Sequence, residues 1–316
     1  MRHFTSLADV ADLPDLVAQA ALCKATPLDD HDLGRGRTLG LIFFNPSLRT
    51  RLSTQKAARN LGLEVIVMNI GKEGWQLEFA DGAVMNGDKA EHVRDAAAVM
   101  GRYCDLLGIR TFAGLQDREA DYAETVLKAF QQYAGVPIIS LESATRHPLQ
   151  SLADVLTIME HKQVERPKVV LTWAPHPRAL PQAVANSFAE WMKAIECEFV
   201  ITHPEGYDLA AEFFAGAEVN YDQNAALADA DFVYAKNWAS YRDYGKVASQ
   251  DSAWTLTPEK MALTHEAHFM HCLPVRRNVV VSDAVIDSSR SLVLDQAENR
   301  VYAAQAVLKQ LLQVPS

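Results

Sequence analysis

The sequence is poor in cysteine, in long apolar runs and in positive charge, and each shortage excludes a class of protein. Its four cysteines are scattered without a C-x-x-C pair, so a disulfide framework and a zinc knuckle both lack their spacing. The apolar runs are strand-sized, far below the ~20 residues of a membrane span. Thirty Lys and Arg against forty Asp and Glu leave a net charge of -10, which argues against a nucleic-acid binder. The first residues carry no secretory signal pattern, so we expect a reduced cytoplasmic enzyme.

The hydrophobic residues alternate between strand-sized runs and helix-spaced patterns. Nearly continuous apolar strands separated by helices predict parallel sheets covered on both faces, in an α/β protein of two doubly wound domains. The predicted strands are residues 38–44, 64–68, 104–110, 136–140, 168–174, 197–203, 218–222 and 230–236. The predicted helices are residues 51–62, 91–101 (closed by Gly101), 118–135, 149–161, 180–195, 211–216 and 297–312.

The helical stretch 149–161 lies between two such sets of elements, so we place the domain junction near it. We expect residues 1–147 plus 297–316 to form the first domain, because the last helix has the spacing to pack back on it, and residues 148–296 to form the second. The proline-dense segment 174–181 is predicted to be a loop at the carboxyl end of a strand, where open α/β sheets bind their ligands.

The turn at residues 45–51, NPSLRTR, is the clearest local signal. Ser47 and Thr50 can cap the following helix, whose first N–H groups then point at whatever lies there. Arg49 and Arg51 beside those donors make a site for a phosphate dianion, although an ordinary cap with solvated arginines has the same pattern. The absence of a G-x-G-x-x-G or P-loop pattern weakens a nucleotide-binding interpretation.

A second strand-to-helix turn covers residues 142–150, ESATRHPLQ. Since the carboxyl ends of parallel strands share one edge of a sheet, we expect this turn to lie near the first. His147 is titratable near neutrality and can donate to a carbonyl oxygen, and Arg110 ends its own strand at the same edge. In the second half, His176, Arg178, Lys236 and the segment HCLPVRR also follow apolar strands.

Two rival chemistries fit the sequence poorly. A zinc site on His265, His268 and His271 is disfavoured because strand side chains alternate, so that His268 would face away from the other two; we interpret these histidines as structural or hydrogen-bonding. A serine hydrolase would need a G-x-S-x-G elbow, whereas Ser47 lies among arginines, which favour an anion over deprotonation of a serine.

Three motifs carry a family resemblance: SLRTR at 47–51, HPLQ at 147–150 and HCLP at 271–274. In this order and at these separations they resemble the aspartate/ornithine transcarbamylase superfamily over nearly the whole chain, and most closely its acylornithine branch. The resemblance implies transfer of a carbamoyl group from carbamoyl phosphate to the δ-amine of an acylated ornithine in arginine biosynthesis, with no cofactor or metal. It also implies a knotted second domain and a homotrimer in which Trp75 reaches a neighbouring subunit's site.

The resemblance further implies residue roles. Thr50, Arg110 and His147 would act on the carbonyl oxygen, Gln150 would hold the carbamoyl amide, and the Cys272 backbone would complete the catalytic set. The residues expected to bind carbamoyl phosphate are Ser47, Leu48, Arg49, Thr50, Trp75, Arg110, His147, Gln150, Cys272, Leu273 and Arg300. The residues expected to bind the acylornithine are Ala90, Glu142, His176, Arg178, Lys236, Leu273 and Arg276.

The acceptor is expected to be acylated because of one change of charge. Ornithine transcarbamylases carry Asp in a Thr-Asp-x-Trp pattern that receives the free α-ammonium, and this chain reads Ala235-Lys236-Asn237-Trp238 there. A lysine cannot accept a hydrogen bond from an ammonium, and the two like charges repel. The α-amine must therefore be neutral, as an amide is.

The acyl group is expected to be succinyl. The acetyl branch has a glutamate at the position of Ala90, which would repel a succinyl carboxylate, and a lysine at the position of Val280; the succinyl branch usually has proline at position 90. Arg178 is a candidate partner for the extra carboxylate, with a solvated loop arginine as the alternative. N-Succinyl-L-ornithine is thus the expected acceptor, with N-acetyl-L-ornithine and a catalytically silent anion-binding regulator as alternatives. Basic residues should gather at the site and the acidic excess on the outer surface.

Overall fold

The computed structural model describes residues 1–313 and divides into two compact units. Unit 1 consists of Met1–Gly114, Glu119–Leu149 and the chain from Arg300 onward, and unit 2 of Leu115–Arg118 and Gln150–Asn299. The strands are β1 Thr38–Phe43, β2 Glu64–Asn69, β3 Leu77–Glu78, β4 Glu91–His92, β5 Leu106–Arg110, β6 Ile138–Glu142, β7 Lys168–Trp173, β8 Glu198–Thr202, β9 Glu218–Asn220, β10 Phe232–Lys236 and β11 His268–Met270. The helices are α1 Leu13–Ala25, α2 Arg49–Asn60, α3 Val93–Tyr103, α4 Arg118–Tyr122, α5 Thr125–Tyr133, α6 Pro148–His161, α7 Ala183–Met192, α8 Ala211–Phe214, α9 Gln223–Leu227, α10 Pro258–Met261, α11 Asp283–Ile286 and α12 Val293–Leu312.

Unit 1 is built on a parallel sheet of four strands in the order β2-β1-β5-β6. Every residue of β5 and β6 is buried, which explains their unbroken apolar runs. The chain leaves β1 to form β2 on one side and later returns to form β5 on the other. Ligands of open α/β sheets bind where the strand order reverses in this way, outside the carboxyl ends of the strands. In unit 1 that point lies between β1 and β5.

Unit 2 repeats the arrangement with a parallel sheet of five strands in the order β11-β10-β7-β8-β9. Here the chain runs from β7 through β8 to β9 and then returns to place β10 on the other side of β7. The reversal therefore lies between β7 and β10. Each unit thus has one ligand-binding edge that its topology alone defines. The predicted pair of doubly wound parallel sheets is confirmed, and no helix within residues 1–313 is long and apolar enough to cross a membrane.

Two helix predictions in unit 1 are wrong in detail. The stretch predicted as one helix over 118–135 is two, α4 and α5, because Glu124 between them adopts a left-handed conformation with φ of 53°. The helix predicted to close at Gly101 continues to Tyr103. Gly101 has a different purpose there: a Cβ at this position would lie 1.8 Å from the backbone oxygen of Ala134. The glycine lets α3 approach the end of α5 closely.

A Gly101→Ala substitution tests this close approach. The added methyl overlaps a backbone atom that no rotamer change can move, so we expect the free energy of unfolding to fall by about 2 kcal/mol, despite alanine's better helix propensity. Urea denaturation monitored by circular dichroism measures the change. Gly87→Ala is the matched control, since a Cβ there meets nothing within 4 Å. Equal stability of the two variants would contradict the packing argument.

Candidate active site

The turn after β1 sets up the first part of the candidate site in unit 1. The hydroxyl of Ser47 accepts a hydrogen bond of 3.3 Å from the backbone N–H of Thr50, which caps the start of α2. The side-chain oxygen of Asn45 accepts a 2.7 Å bond from the N–H of Phe112, which ties the turn to the segment after β5. The amino end of a three-turn helix, with its partial positive charge, is thereby fixed at the reversal point of the sheet.

Thr50 does not cap the helix, and that part of the prediction is wrong, because the residue already lies in the first turn of α2. Its buried hydroxyl instead accepts hydrogen bonds from two arginines. Nη1 of Arg110, at the end of β5, lies 3.2 Å from the hydroxyl oxygen, and Nη2 of Arg300, in α12, lies 2.5 Å from it. Residues separated by 250 positions therefore meet on one oxygen atom.

Two further side chains extend this contact. Oε2 of Glu142, at the end of β6, lies 2.7 Å from Nη1 of Arg110 and 3.5 Å from Nε2 of His147. Thr50, Arg110, Glu142, His147 and Arg300 thus form one contiguous group, hereafter the Thr50 cluster. None of them is more than 7% exposed. The sequence prediction that the turns after β1, β5 and β6 share one edge agrees with this geometry.

The Thr50 cluster contains more positive than negative charge. Two guanidinium groups face one carboxylate, and the Arg110 guanidinium also lies 4.5 Å above the ring of Phe112. Guanidinium groups donate to planar oxyanions through several N–H groups at once, so the cluster is suited to an anionic ligand whose oxygen atoms accept from them. The arrangement can also direct cationic and imidazole donors at an oxygen on which negative charge develops.

Glu124 holds the turn that precedes His147, a role that sequence reasoning missed. Its carboxylate accepts hydrogen bonds from the hydroxyls of Ser143 (2.6 Å) and Thr145 (2.5 Å) and from the N–H groups of Thr145 (2.8 Å) and Ala144 (3.3 Å). The left-handed backbone at Glu124 is compatible with this reach between α4 and β6. A residue that lies between two helices and holds a turn about 20 positions later has no local spacing pattern by which to recognise it.

The candidate acceptor residues of unit 2 lie at its own reversal point. His176 follows β7, Lys236 ends β10, and both are partly buried, whereas Arg178 and Arg276 are exposed. Nδ1 of His176 lies 2.8 Å from the backbone oxygen of Arg178 and 3.1 Å from its nitrogen, so the ring position is set by the loop itself.

The pKa of His176 responds to the charges of the other three residues. Burial lowers the pKa of His176, and a hydrogen bond to the Arg178 backbone opposes this effect. The positive charges of Lys236, Arg276 and Arg178 lower the pKa of the imidazole further. His176 therefore favours its neutral form beside three permanent cations. Such a set suits a ligand with more than one carboxylate.

The HCLP segment of unit 2 has an unusual backbone. Leu273 has a φ of 52°, in the left-handed region that a leucine seldom adopts, and its N–H donates a 2.8 Å hydrogen bond to Nδ1 of His271. Cys272 is buried and Leu273 is partly buried. Gln150, in the first turn of α6, is also buried. His265, His268 and His271 have separate surroundings: Asp231 near the first, the rings of His161 and Phe232 near the second.

An exposed loop of unit 1 carries the remaining candidates, Trp75 and Ala90. The short parallel pair of β3 and β4 joins the two ends of the part that carries Ala90, and Trp75 lies just before β3. Trp75 is 60% exposed, and its Nε1 donates a 2.7 Å hydrogen bond to Glu91. Lys89 pairs with Glu78 at 3.1 Å, and Ala90 beside it is exposed. Leu48 is likewise exposed, at 66%.

Comparison with known families agrees with the two-domain α/β fold. Residues 2–160 match the carbamoyl-phosphate-binding domain of aspartate/ornithine carbamoyltransferase, and residues 181–311 match the Asp/Orn-binding domain. The chain belongs to the aspartate/ornithine carbamoyltransferase family. Within that family it is 55% identical to N-succinylornithine carbamoyltransferase of Bacteroides thetaiotaomicron over 99% of both chains. It is 38% identical to N-acetylornithine carbamoyltransferase of Xanthomonas campestris over 99% of this chain and 98% of the relative.

Solved structures of acetylornithine transcarbamylases also resemble this chain over nearly its whole length. A glutamate-to-alanine mutant of N-acetyl-L-ornithine transcarbamylase, complexed with carbamyl phosphate and N-succinyl-L-norvaline, superposes with a TM-score of 0.93 at 37% identity. It matches 98% of this chain and 100% of its own. Acetylornithine transcarbamylase complexed with acetylcitrulline gives the same TM-score and identity, over 98% of this chain and 99% of its own.

Replacement of Glu124 by glutamine tests its hold on the 143–145 turn. An amide has one acceptor oxygen where the carboxylate has two, and its NH2 group would face the N–H of Ala144. We expect the free energy of unfolding in urea to fall by about 2 kcal/mol. Glu64→Gln, on the exposed end of β2, is the control and should change it by less than about 0.5 kcal/mol. A Glu124 variant as stable as this control would show that the turn does not depend on the carboxylate.

Proposed function

We propose that this chain transfers the carbamoyl group of carbamoyl phosphate to the δ-amine of N-succinyl-L-ornithine, giving N-succinyl-L-citrulline and phosphate. The identity of 55% to an N-succinylornithine carbamoyltransferase over 99% of the chain supports this assignment. The observation that carries it is the positively charged acceptor edge of unit 2, where Lys236 ends β10 beside His176.

Carbamoyl phosphate binding is assigned mainly to unit 1. The phosphate is held by the amino end of α2, through Ser47, Leu48, Arg49 and Thr50, with Arg300 as a further cation. The carbonyl oxygen accepts from Thr50, Arg110 and His147. The two buried guanidinium groups of the Thr50 cluster support this assignment, since they are suited to donate to phosphate and carbonyl oxygens. Gln150 is proposed to hold the carbamoyl amide, and the backbone carbonyls of Cys272 and Leu273 to face the amide and the incoming amine.

The reaction needs positioning and charge stabilisation more than a dedicated base. The neutral δ-amine attacks the carbonyl carbon, a C–N bond forms, and negative charge gathers on the carbonyl oxygen. Each preorganised donor at such an oxygen contributes about 3 kcal/mol to transition-state stabilisation in other enzymes. The C–O bond to phosphate then breaks, and the leaving phosphate takes the proton from the amine. Holding both substrates in line supplies much of the remaining acceleration.

The sign of the charge at Lys236 supports an acylated acceptor. Free ornithine carries an α-ammonium, which would face the ammonium of Lys236 and the guanidinium of Arg276. An N-acyl group removes that charge and leaves the α-carboxylate, which those two cations bind. Glu142 and His176 are assigned to the acceptor as well.

The succinyl group supplies a second carboxylate, for which Arg178 is the proposed partner. The three permanent cations around His176 fit a dicarboxylate better than a monocarboxylate. Ala90 is proposed to occupy the place of the acetyl-branch glutamate, whose charge would repel this carboxylate. A glutamate-to-alanine mutant of an acetylornithine enzyme that is complexed with N-succinyl-L-norvaline supports the same reasoning.

We propose a cytoplasmic homotrimer that serves arginine biosynthesis, with no cofactor, no nucleic acid and no membrane as partner. Trp75 of one subunit is assigned to the carbamoyl phosphate site of the next. The 60% exposure of its indole, which is held in place by Glu91, supports a role outside its own subunit.

A parallel acceptor assay tests the assignment. Purified protein, carbamoyl phosphate and either N-succinylornithine, N-acetylornithine or ornithine are incubated, and the ureido product is quantified. We expect kcat/KM for succinylornithine to exceed that for acetylornithine by at least about tenfold, the worth of one charged hydrogen bond, and that for ornithine by more. Ornithine as the best acceptor would overturn the Lys236 argument. A preference for acetylornithine would leave the reaction standing and overturn the acyl assignment.

Ala90→Glu tests how the acyl group is recognised. We expect kcat/KM for succinylornithine to fall by at least about tenfold through carboxylate repulsion, while that for acetylornithine stays within about threefold. Asn86→Glu places the same charge elsewhere on this exposed loop and serves as the control. If both variants lose the same activity, the loop responds to charge in general and position 90 has no special part.

A further inference from the structure

Asp154 is a buried acid that none of the roles above uses. It lies in the middle of α6 with no exposed surface. Its Oδ1 accepts a 2.8 Å hydrogen bond from Nε2 of Gln150, four residues earlier on the same helix. The same oxygen accepts a second 2.8 Å bond from Nε2 of Gln296 in α12. Burying a carboxylate reduces folding stability unless its oxygens are hydrogen-bonded. The two glutamine amides that bond to Asp154 therefore suggest a role for this acid.

The first consequence concerns the amide of Gln150. A carboxylate oxygen in this position only accepts, so the NH2 group of Gln150 must turn towards Asp154. The carbonyl oxygen, Oε1, is then the atom that points away from Asp154. The carbamoyl group presents an NH2, which needs an acceptor. If the amide of Gln150 were reversed, its NH2 group would face the NH2 group of the carbamoyl substrate. Neither group could then accept a hydrogen bond from the other.

The second consequence concerns the backbone at residues 271–273. Oε1 of Gln296 accepts a 2.8 Å hydrogen bond from the N–H of His271, and Nδ1 of His271 accepts one of 2.8 Å from the N–H of Leu273. A continuous series of hydrogen bonds therefore runs from Asp154 to the left-handed residue Leu273. Burial, followed by the charge of Asp154, raises the pKa of Tyr234 well above its ordinary value, so this neighbouring phenol stays neutral.

We propose that Asp154 is a positioning residue that directs the carbonyl oxygen of Gln150 at the carbamoyl NH2 and, through Gln296, fixes the backbone carbonyls at Cys272 and Leu273. The proposal rests on the proposed function, because it needs Gln150 to receive the carbamoyl amide. The acid does not touch substrate. It acts by orienting two amides whose nitrogen and oxygen ends would otherwise compete for the same positions.

Two substitutions separate orientation from general damage. Asp154→Leu keeps the branching at Cγ and has no acceptor, and Asp154→Asn keeps one acceptor oxygen but can rotate its own NH2 towards Gln150. We expect the KM for carbamoyl phosphate to rise by at least about twentyfold in the leucine variant and by about fivefold in the asparagine variant. The Ki for inorganic phosphate, which lacks the carbamoyl group, should stay within about twofold. A Ki that rises in parallel with KM would overturn the proposal.

Thr157→Val is the matched control. Thr157 is equally buried in α6, and its hydroxyl donates to the backbone oxygen of Ala153, so the variant loses a polar contact in the same helix. It should lose stability and leave both constants within about twofold. If Asp154→Leu does not fold, the asparagine variant decides the question: unchanged kinetics in folded Asp154→Asn would overturn the proposal.

A double-variant cycle with Gln150→Ala tests the route of the effect. In the Gln150→Ala background, Asp154→Asn should no longer change the KM for carbamoyl phosphate, because the amide that Asp154 orients is absent. A KM effect that persists without Gln150 would contradict the proposed orientation. Wild-type protein that forms no ureido product with any acceptor would overturn the proposed function itself, which distinguishes that failure from failure of the Asp154 proposal.

Discussion

The reversal of strand order in each parallel sheet is the constraint on which the site depends. Only at a reversal do two neighbouring strands send their following loops apart, leaving room for a ligand between them. In unit 1 this brings the turn after β1 next to Arg110, and in unit 2 it brings the loop after β7 next to Lys236. Neither edge would gather its residues if the strands followed chain order. The Thr50 cluster is the clearest product of this constraint, since it collects the ends of three strands and a distant helix.

Burial then determines the charge balance of the site. An arginine removed from water requires acceptors, and Arg110 finds two, the hydroxyl of Thr50 and the carboxylate of Glu142. The carboxylate of Glu142 also lies 3.5 Å from Nε2 of His147, so cationic and imidazole groups are gathered around it. A site can therefore attract anions within a chain whose net charge is -10. Net charge reflects the whole surface, whereas binding depends on the few groups that water does not reach.

Much of the fold and part of the site could be predicted from the sequence. Continuous apolar runs predicted the strands, because parallel strands that are buried on both faces do not alternate between apolar and polar residues. The turn at 45–51 could be recognised because helix capping involves residues close in sequence. Gly101, the break at Glu124 and the place of Thr50 were predicted wrongly for one common reason. In each case a partner far away in the sequence, Ala134, the 143–145 turn or the two arginines, decides the local conformation. The role of Asp154 could not be predicted either, because an acid in a helix has no recognisable pattern until its two glutamine partners are known.

The small parallel pair of β3 and β4 has a consequence for how such proteins diversify. It joins the two ends of the loop that carries Ala90, so the loop's attachment to unit 1 does not depend on the side chains in between. Exposed positions on a loop held at both ends can change without a loss of core packing. If Ala90 reads the acyl group as proposed, acyl-group preference is separated from folding stability, and a new acceptor can arise by single replacements while the sheet and the buried cluster remain as they are.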